Sequence, residues 1–220
     1  MNDWTFSEAE RAAVYRAIHT RRDIRSTFLP QPIPDAILWR LLGAAAAAPS
    51  VGFMQPTEII VIRDAEVRRQ IHAHFESVNR AAAEVYTDAD RRAYDALKLA
   101  AIIETPLNLC FTCDTTTQRG RGLGRQTMPE TAVFSTVCAV QNVWLAARAE
   151  NIGVGWVSIL EPETVKTRLD IPAHLTLVAY LCVGYVSEFP AQPELETKGW
   201  EHARDLTEMV YFDRYGVRQP

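Results

Sequence analysis

Arg21-Arg22-Asp23-Ile24-Arg25 puts three guanidiniums into five residues, just past the segment that the sequence predicts as the first helix. A guanidinium stays charged at physiological pH and offers forked donors, so this density suits a dianionic phosphate. The same run also suits a solvated basic face at a helix C-terminus, where cations complement the helix dipole. Taken alone, the solvated face is the simpler reading, and the decision falls to the rest of the chain.

Upstream, Ser7 and Glu10 have capping-box spacing and predict a helix over 7–20. Downstream, Pro30, Pro32 and Pro34 make an extended connector. A helix is expected over 34–48, closed by an alanine run and Pro49, then a loop over 49–56 and a strand over 58–63. Asp64 is positioned to cap a long helix to about 86, and a further helix is expected over 88–103. A strand follows over 107–113. Residues 114–128, with Gly120, Gly122 and Gly124, read as a mobile lid. Thr127 and Glu130 suggest a second capping box for a helix over 129–150. Strands over 154–159 and 175–186 flank a short helix over 162–169. Helices and about four strands without regular βαβ alternation predict an α+β fold, with 1–220 as a single domain. The tail, 187–220, is rich in Pro, charge and aromatics, and is expected to wrap a partner subunit.

Composition narrows the classes. Of 220 residues, 48% are hydrophobic, enough for a core without disulfides. The net charge of −4 lacks the basic footprint of a general nucleic-acid binder. Residues 131–147 carry no charge but include several hydroxyls and amides, so a buried helix is expected rather than a membrane span. The first ten residues lack the basic and apolar regions of a signal peptide, and a reducing cytoplasm is the expected compartment. The four Cys do not read as a disulfide framework. Cys110 and Cys113 read as buried strand thiols, and the scattered His residues give no reason to expect a metal. Neither a phosphate-binding glycine fingerprint nor a nucleophile elbow is present.

Two further stretches can carry chemistry. Ala48-Pro49-Ser50-Val51-Gly52-Phe53-Met54-Gln55-Pro56 offers small residues for close approach of a flat ligand, with Ser50 and Gln55 as polar contacts. An ordinary helix-to-strand loop is the plainer alternative. Gly153-Val154-Gly155-Trp156-Val157-Ser158-Ile159 puts glycines into a strand, a sign of close backbone approach. Ser158 stands among apolar residues, where its hydroxyl needs either a backbone partner or a ligand.

In this order, the three stretches resemble the nitroreductase-like flavoprotein family, from about residue 19 to 200. That family opens with Arg-Arg-Ser-x-Arg, whereas this chain has Asp23 at the Ser position. The departure, with the runs 49–56, 135–145 and 153–159, resembles the family's flavin-fragmenting branch. The resemblance implies a mostly antiparallel sheet flanked by helices, in a homodimer with FMN at the subunit interface. It implies that reduced FMN is the substrate, O2 the co-substrate, and 5,6-dimethylbenzimidazole and erythrose 4-phosphate the products. The benzimidazole is the lower ligand of cobalamin. A separate flavin reductase would supply the reduced FMN. By resemblance, Arg21, Arg22 and Arg25 with Ile24 hold the phosphate and ribityl chain, and Pro49, Ser50 and Gln55 meet the flavin. Lys98 reaches the ring or ribityl chain, Val157 and Ser158 lie beside the reactive face, and Asp23 and Ser158 are the pair needed for fragmentation. An NAD(P)H-dependent nitro- or flavin reductase of the same fold would share the binding residues, and a flavin carrier would share them without chemistry.

Overall fold

The computed structural model describes residues 4–218. The outermost ends of the N-terminal stretch and of the tail lie outside the described residues. Ser7 closes the expected capping box: its Oγ accepts the Glu10 N–H, and Glu10 Oε2 accepts the Ser7 N–H at 2.7 Å. Helix α1 (Glu8–Thr20) follows, then α2 (Asp35–Ala46), β1 (Thr57–Ile62), α3 (Ala65–Ala83), α4 (Asp88–Asp95), β2 (Leu107–Asp114), α5 (Thr131–Ala149), β3 (Ile152–Val157), α6 (Pro162–Arg168), β4 (Leu175–Tyr185) and α7 (Glu194–Thr197).

The sheet has the order β1-β2-β4-β3, every neighbouring pair antiparallel. Leu107, Leu109 and Phe111 of β2 pack with Leu41 of α2 and Val140, Val143 and Trp144 of α5. Cys110, one residue out of phase with these, joins Ile71 and Phe75 of α3, Tyr180 and Cys182 on the opposite face. Both faces are covered, which explains why 107–113 is buried throughout rather than alternately, with Asn108 and Thr112 among the buried residues. Cys110, Cys113 and Cys182 are buried, as expected of strand thiols, and burial pushes the Cys110 and Cys182 thiols up to about 12.

Three local expectations need correction. The helix over 88–103 ends at Asp95. Ala100, Ala101 and Ile102 still enter the core, while the Arg68 guanidinium takes the carbonyls of Ile102, Ile103 and Thr105. A side chain thus satisfies backbone groups of a segment that leaves the helix. The second capping box is absent: Thr127 Oγ donates to Gly124 O instead, and Glu130 precedes α5 without a side-chain cap. Finally, α5 is not buried all round. Phe134, Val137, Cys138 and Gln141 form an exposed face, with Phe134 54% exposed. No helix among the described residues is long and apolar enough to cross a membrane.

Candidate functional site

The arginine segment is docked on the sheet. Asp23 bridges Val154 in parallel register, and the Ile24 N–H donates to Val154 O at 3.0 Å. Gly155 is required there: a Cβ at that position would stand 2.2 Å from Ile24 O. Close backbone approach at the glycines was expected, but the approaching backbone is the chain's own. At Gly153 a Cβ would lie 2.4 Å from Val186 Cγ1. The segment is fastened from the other side by Trp144, whose Nε1 donates to Arg22 O at 3.0 Å.

The guanidiniums point different ways. Arg21 lies 5.4 Å from the Trp144 ring centroid and takes part in no ion pair among the described residues. Arg22 turns back, donating to the carbonyls of His19, Arg21 and Ala191. Arg25, 13% exposed, pairs with Asp23 Oδ2. The buried Nε atoms of Arg22 and Arg25 have no hydrogen-bond partner. Asp23 Oδ1 accepts the Trp156 N–H at 2.9 Å. Burial raises the Asp23 carboxyl above its ordinary value, and it outweighs the opposing effects of Arg25, the Trp156 N–H and Arg21. The contest between burial and flanking cations, open from sequence, therefore goes to burial.

Ser158 follows the end of β3, two residues beyond Trp156, and is exposed rather than enclosed among apolar side chains. Val157 is buried and pairs with Tyr180. Both border a cavity of about 200 Å³ with Leu177 and Ala179. Asp23 thus meets β3 at Val154 and Trp156, whereas Ser158 lies just past the strand's end.

Ser50 and Gln55 line a separate cavity of about 200 Å³ with Ala45, Ala48 and Ser135, at the end of α2. Ser50 Oγ accepts the Gln55 N–H at 3.1 Å, and Ser135 Oγ accepts the Val51 N–H at 3.1 Å. Pro49 is exposed beside it. Neither cavity contains a residue of the other. Lys98 lies in the irregular stretch after α4 and pairs with Glu104 at 2.6 Å.

Sequence reasoning missed Trp144 and Arg119. An indole N–H within a long uncharged helix needs a partner, which was the available signal for Trp144. Arg119 Nη2 donates to Gln55 Oε1 at 2.6 Å, so the 114–128 loop, expected to be mobile, is docked on the 49–56 loop. Its signal was an arginine at the head of a glycine run. The start of the tail packs on its own chain: Phe189 lies under the Arg148 guanidinium at 4.0 Å, and Trp200 meets Tyr86 edge-on at 5.5 Å. Residues 201–210 and 212–218 are exposed.

The sequence pattern described as "Nitroreductase family" matches residues 18–185, from the end of α1 to the end of β4. The chain belongs to the nitroreductase family. Within it, a protein of Rhodospirillum rubrum named 5,6-dimethylbenzimidazole synthase is 45% identical over 184 residues, 84% of this chain and 87% of the relative. A protein of the same name from Rhodobacter capsulatus is 37% identical, over 89% of this chain and 94% of the relative. Among solved structures, iodotyrosine deiodinase bound to FMN and 3-iodo-L-tyrosine has the same nitroreductase-family fold. Its TM-score is 0.71 at 20% identity, covering 93% of this chain and 99% of that one. The NADPH:FMN oxidoreductase of Vibrio harveyi gives 0.66 at 19% identity, covering 94% and 80%. The expected α+β architecture, with its antiparallel sheet flanked by helices, is therefore that of this oxidoreductase family.

Proposed function

We propose that the chain is an enzyme of cobalamin lower-ligand synthesis that breaks reduced FMN down with O2 to 5,6-dimethylbenzimidazole and erythrose 4-phosphate. The observation that carries this reading is Asp23, a carboxylate held by the Trp156 N–H and Arg25 at the family's Ser position, in a chain 45% identical to a named synthase.

The donor chemistry fits FMN. Arg21 forms no ion pair among the described residues, and Arg25 keeps an unpartnered buried Nε, so both can serve a phosphate and its ribityl chain. The small-residue wall of Ala45, Ala48 and Ser50 suits a flat ring. Arg22 contributes charge from a guanidinium already tied to carbonyls, and Ile24 supplies the backbone that holds the segment on β3. Lys98 would have to leave Glu104 to reach the ligand.

The electrons and the carbon skeleton both come from reduced FMN. The protein orients it and moves protons. Asp23, with its raised carboxyl, is suited to take a proton at the first ribityl carbon and return it. Ser158, with Val157 behind it, can donate to the ring face.

The reading includes a homodimer. Two separate cavities on one chain, and the exposed Phe134 and Val137 of α5, both support completion of each site by a second copy. The exposed apolar residues Leu206, Val210 and Phe212 support a tail that reaches the partner beyond 201. A cytoplasmic location and a separate reductase supplying reduced FMN belong to the same proposal.

The test is an aerobic incubation of the protein with chemically reduced FMN, with products separated by chromatography. Appearance of 5,6-dimethylbenzimidazole is expected. Recovery of intact FMN would make the protein a carrier, and steady NAD(P)H-driven turnover of a nitroaromatic would make it a reductase.

A further inference from the structure

Gln55 has φ 44°, in the left-handed region that a non-glycine residue occupies only when its neighbours hold it there. Two bonds hold it: its N–H donates to Ser50 Oγ, and its side-chain Oε1 accepts from Arg119. The loops carrying the two residues are locked backbone to backbone. A Cβ on Gly120 would come within 2.4 Å of Gly52 O, and one on Gly52 within 2.6 Å of Leu123 O. Both glycines have positive φ. The chain itself, rather than flexible side chains, therefore brings Arg119 to Gln55.

The chemistry of the contact is one-sided. A guanidinium has donors and no acceptor, so the oxygen of the Gln55 amide must face Arg119. The NH2 end is what remains for the cavity. Ser50, beside it, is biased the same way: its Oγ already accepts an N–H and keeps its hydroxyl proton. Ser135 and Thr57, deeper in the wall, have spent their protons on Thr131 O and Thr136 Oγ1 and can only accept. The donors of the cavity are thus gathered at Gln55 and Ser50.

We infer that Arg119 is a positioning residue that fixes Gln55 as a hydrogen-bond donor, so that the Gln55–Ser50 side of the cavity takes the acceptor-rich edge of a flat ligand, such as carbonyl oxygens and unprotonated ring nitrogens. The inference rests on the reading of this cavity as part of the flavin site, and it assigns the pyrimidine-dione edge of the ring to Gln55.

The experiment compares Arg119→Ala, Arg119→Lys and Arg119→Glu, each in the wild-type and Gln55→Ala backgrounds. FMN affinity is read by quenching of its fluorescence, and Gln55 orientation by the NMR signals of its side-chain amide. Loss of one such bond should weaken FMN binding by about 3–10-fold, and the loss should fall on KM rather than kcat. Arg119→Lys should recover most of the affinity. Arg119→Glu, which presents acceptors, should turn the amide round and bind more weakly than Arg119→Ala. In the Gln55→Ala background the Arg119 variants should bind alike. An unchanged FMN affinity in Arg119→Ala, or an equal loss in both backgrounds, would overturn the inference. If the wild-type protein binds no FMN, the proposed function fails instead. The amide signals then decide the orientation: one distinct pair in wild type and a shifted or averaged pair in Arg119→Ala uphold it, and identical signals reject it.

Discussion

Trp156 donates its backbone N–H to Asp23 Oδ1 at 2.9 Å, so the one carboxylate in the arginine segment is fastened to the edge of the sheet. Asp23→Asn keeps an oxygen for that N–H. It turns an amide donor toward Arg25, which loses its partner. The geometry should survive while the proton carrier is lost. The expected outcome is that FMN still binds and the yield of 5,6-dimethylbenzimidazole falls by about 10²–10⁴-fold. Chromatography of the aerobic incubation checks it, and near-normal yield would remove Asp23 from the chemistry.

The raised carboxyl of Asp23 also sets a pH dependence. A base must be deprotonated, so activity should fall on acidification at a pH above the ordinary Asp value of 3.8. For stability the sign is opposite. The folded chain holds this proton more tightly than the unfolded chain, so the contribution is complete below 3.8 and is lost as pH rises through the raised value. Melting temperatures of wild type and Asp23→Asn should therefore diverge in favour of the variant as pH climbs through that window. A difference that stays constant with pH would contradict the raised carboxyl.

Gly155→Ala tests whether the segment truly lies flat on β3. The new Cβ would sit 2.2 Å from a backbone carbonyl, which cannot swing aside as a flexible side chain can. Forced overpacking of this kind costs about 1–3 kcal/mol. Urea denaturation should show that loss together with weaker FMN binding, because residues 23–25 must move. Gly216→Ala, with open space around it but a positive φ, gives a comparison in which only the backbone conformation is perturbed.

The fold was legible wherever a signal was local. Ser7 and Glu10 sit three residues apart and made their capping box, and the apolar run Ile59-Ile60-Val61-Ile62 marked a strand. Thr127 and Glu130 share the same spacing but failed, because consecutive left-handed residues at 120–122, and Gly124 after them, carry the Gly124 carbonyl to the Thr127 hydroxyl. The helix after Asp88 ended at Asp95, and the carbonyls of Ile103 and Thr105 beyond it are taken by Arg68 from another element, a contact that no local pattern announces. The site followed the same rule. The docking of 21–25 beside Gly155 was foreshadowed by the glycines. The different aims of the three guanidiniums depend on Asp23 within the segment and on Trp144 and Ala191, which only the fold brings to it.

Cys138 offers a direct measure of assembly. It is exposed on the face of α5 that also carries Phe134 and Val137, whereas the other three thiols are buried. A thiol reagent should therefore titrate one Cys per isolated chain, since burial holds the Cys110 and Cys182 thiols near 12, far from their reactive form. If α5 meets α5 of a second copy, Cys138 is covered and the native protein should titrate none. Phe134→Arg would place a charge in that apolar contact, shift the protein to the monomer in analytical ultracentrifugation and release one reactive thiol. On the proposed shared site it should also cost FMN affinity, because each copy would lose its complement. A protein that is a monomer in wild-type form and still produces 5,6-dimethylbenzimidazole would reject the shared site while leaving the chemistry of Asp23 intact.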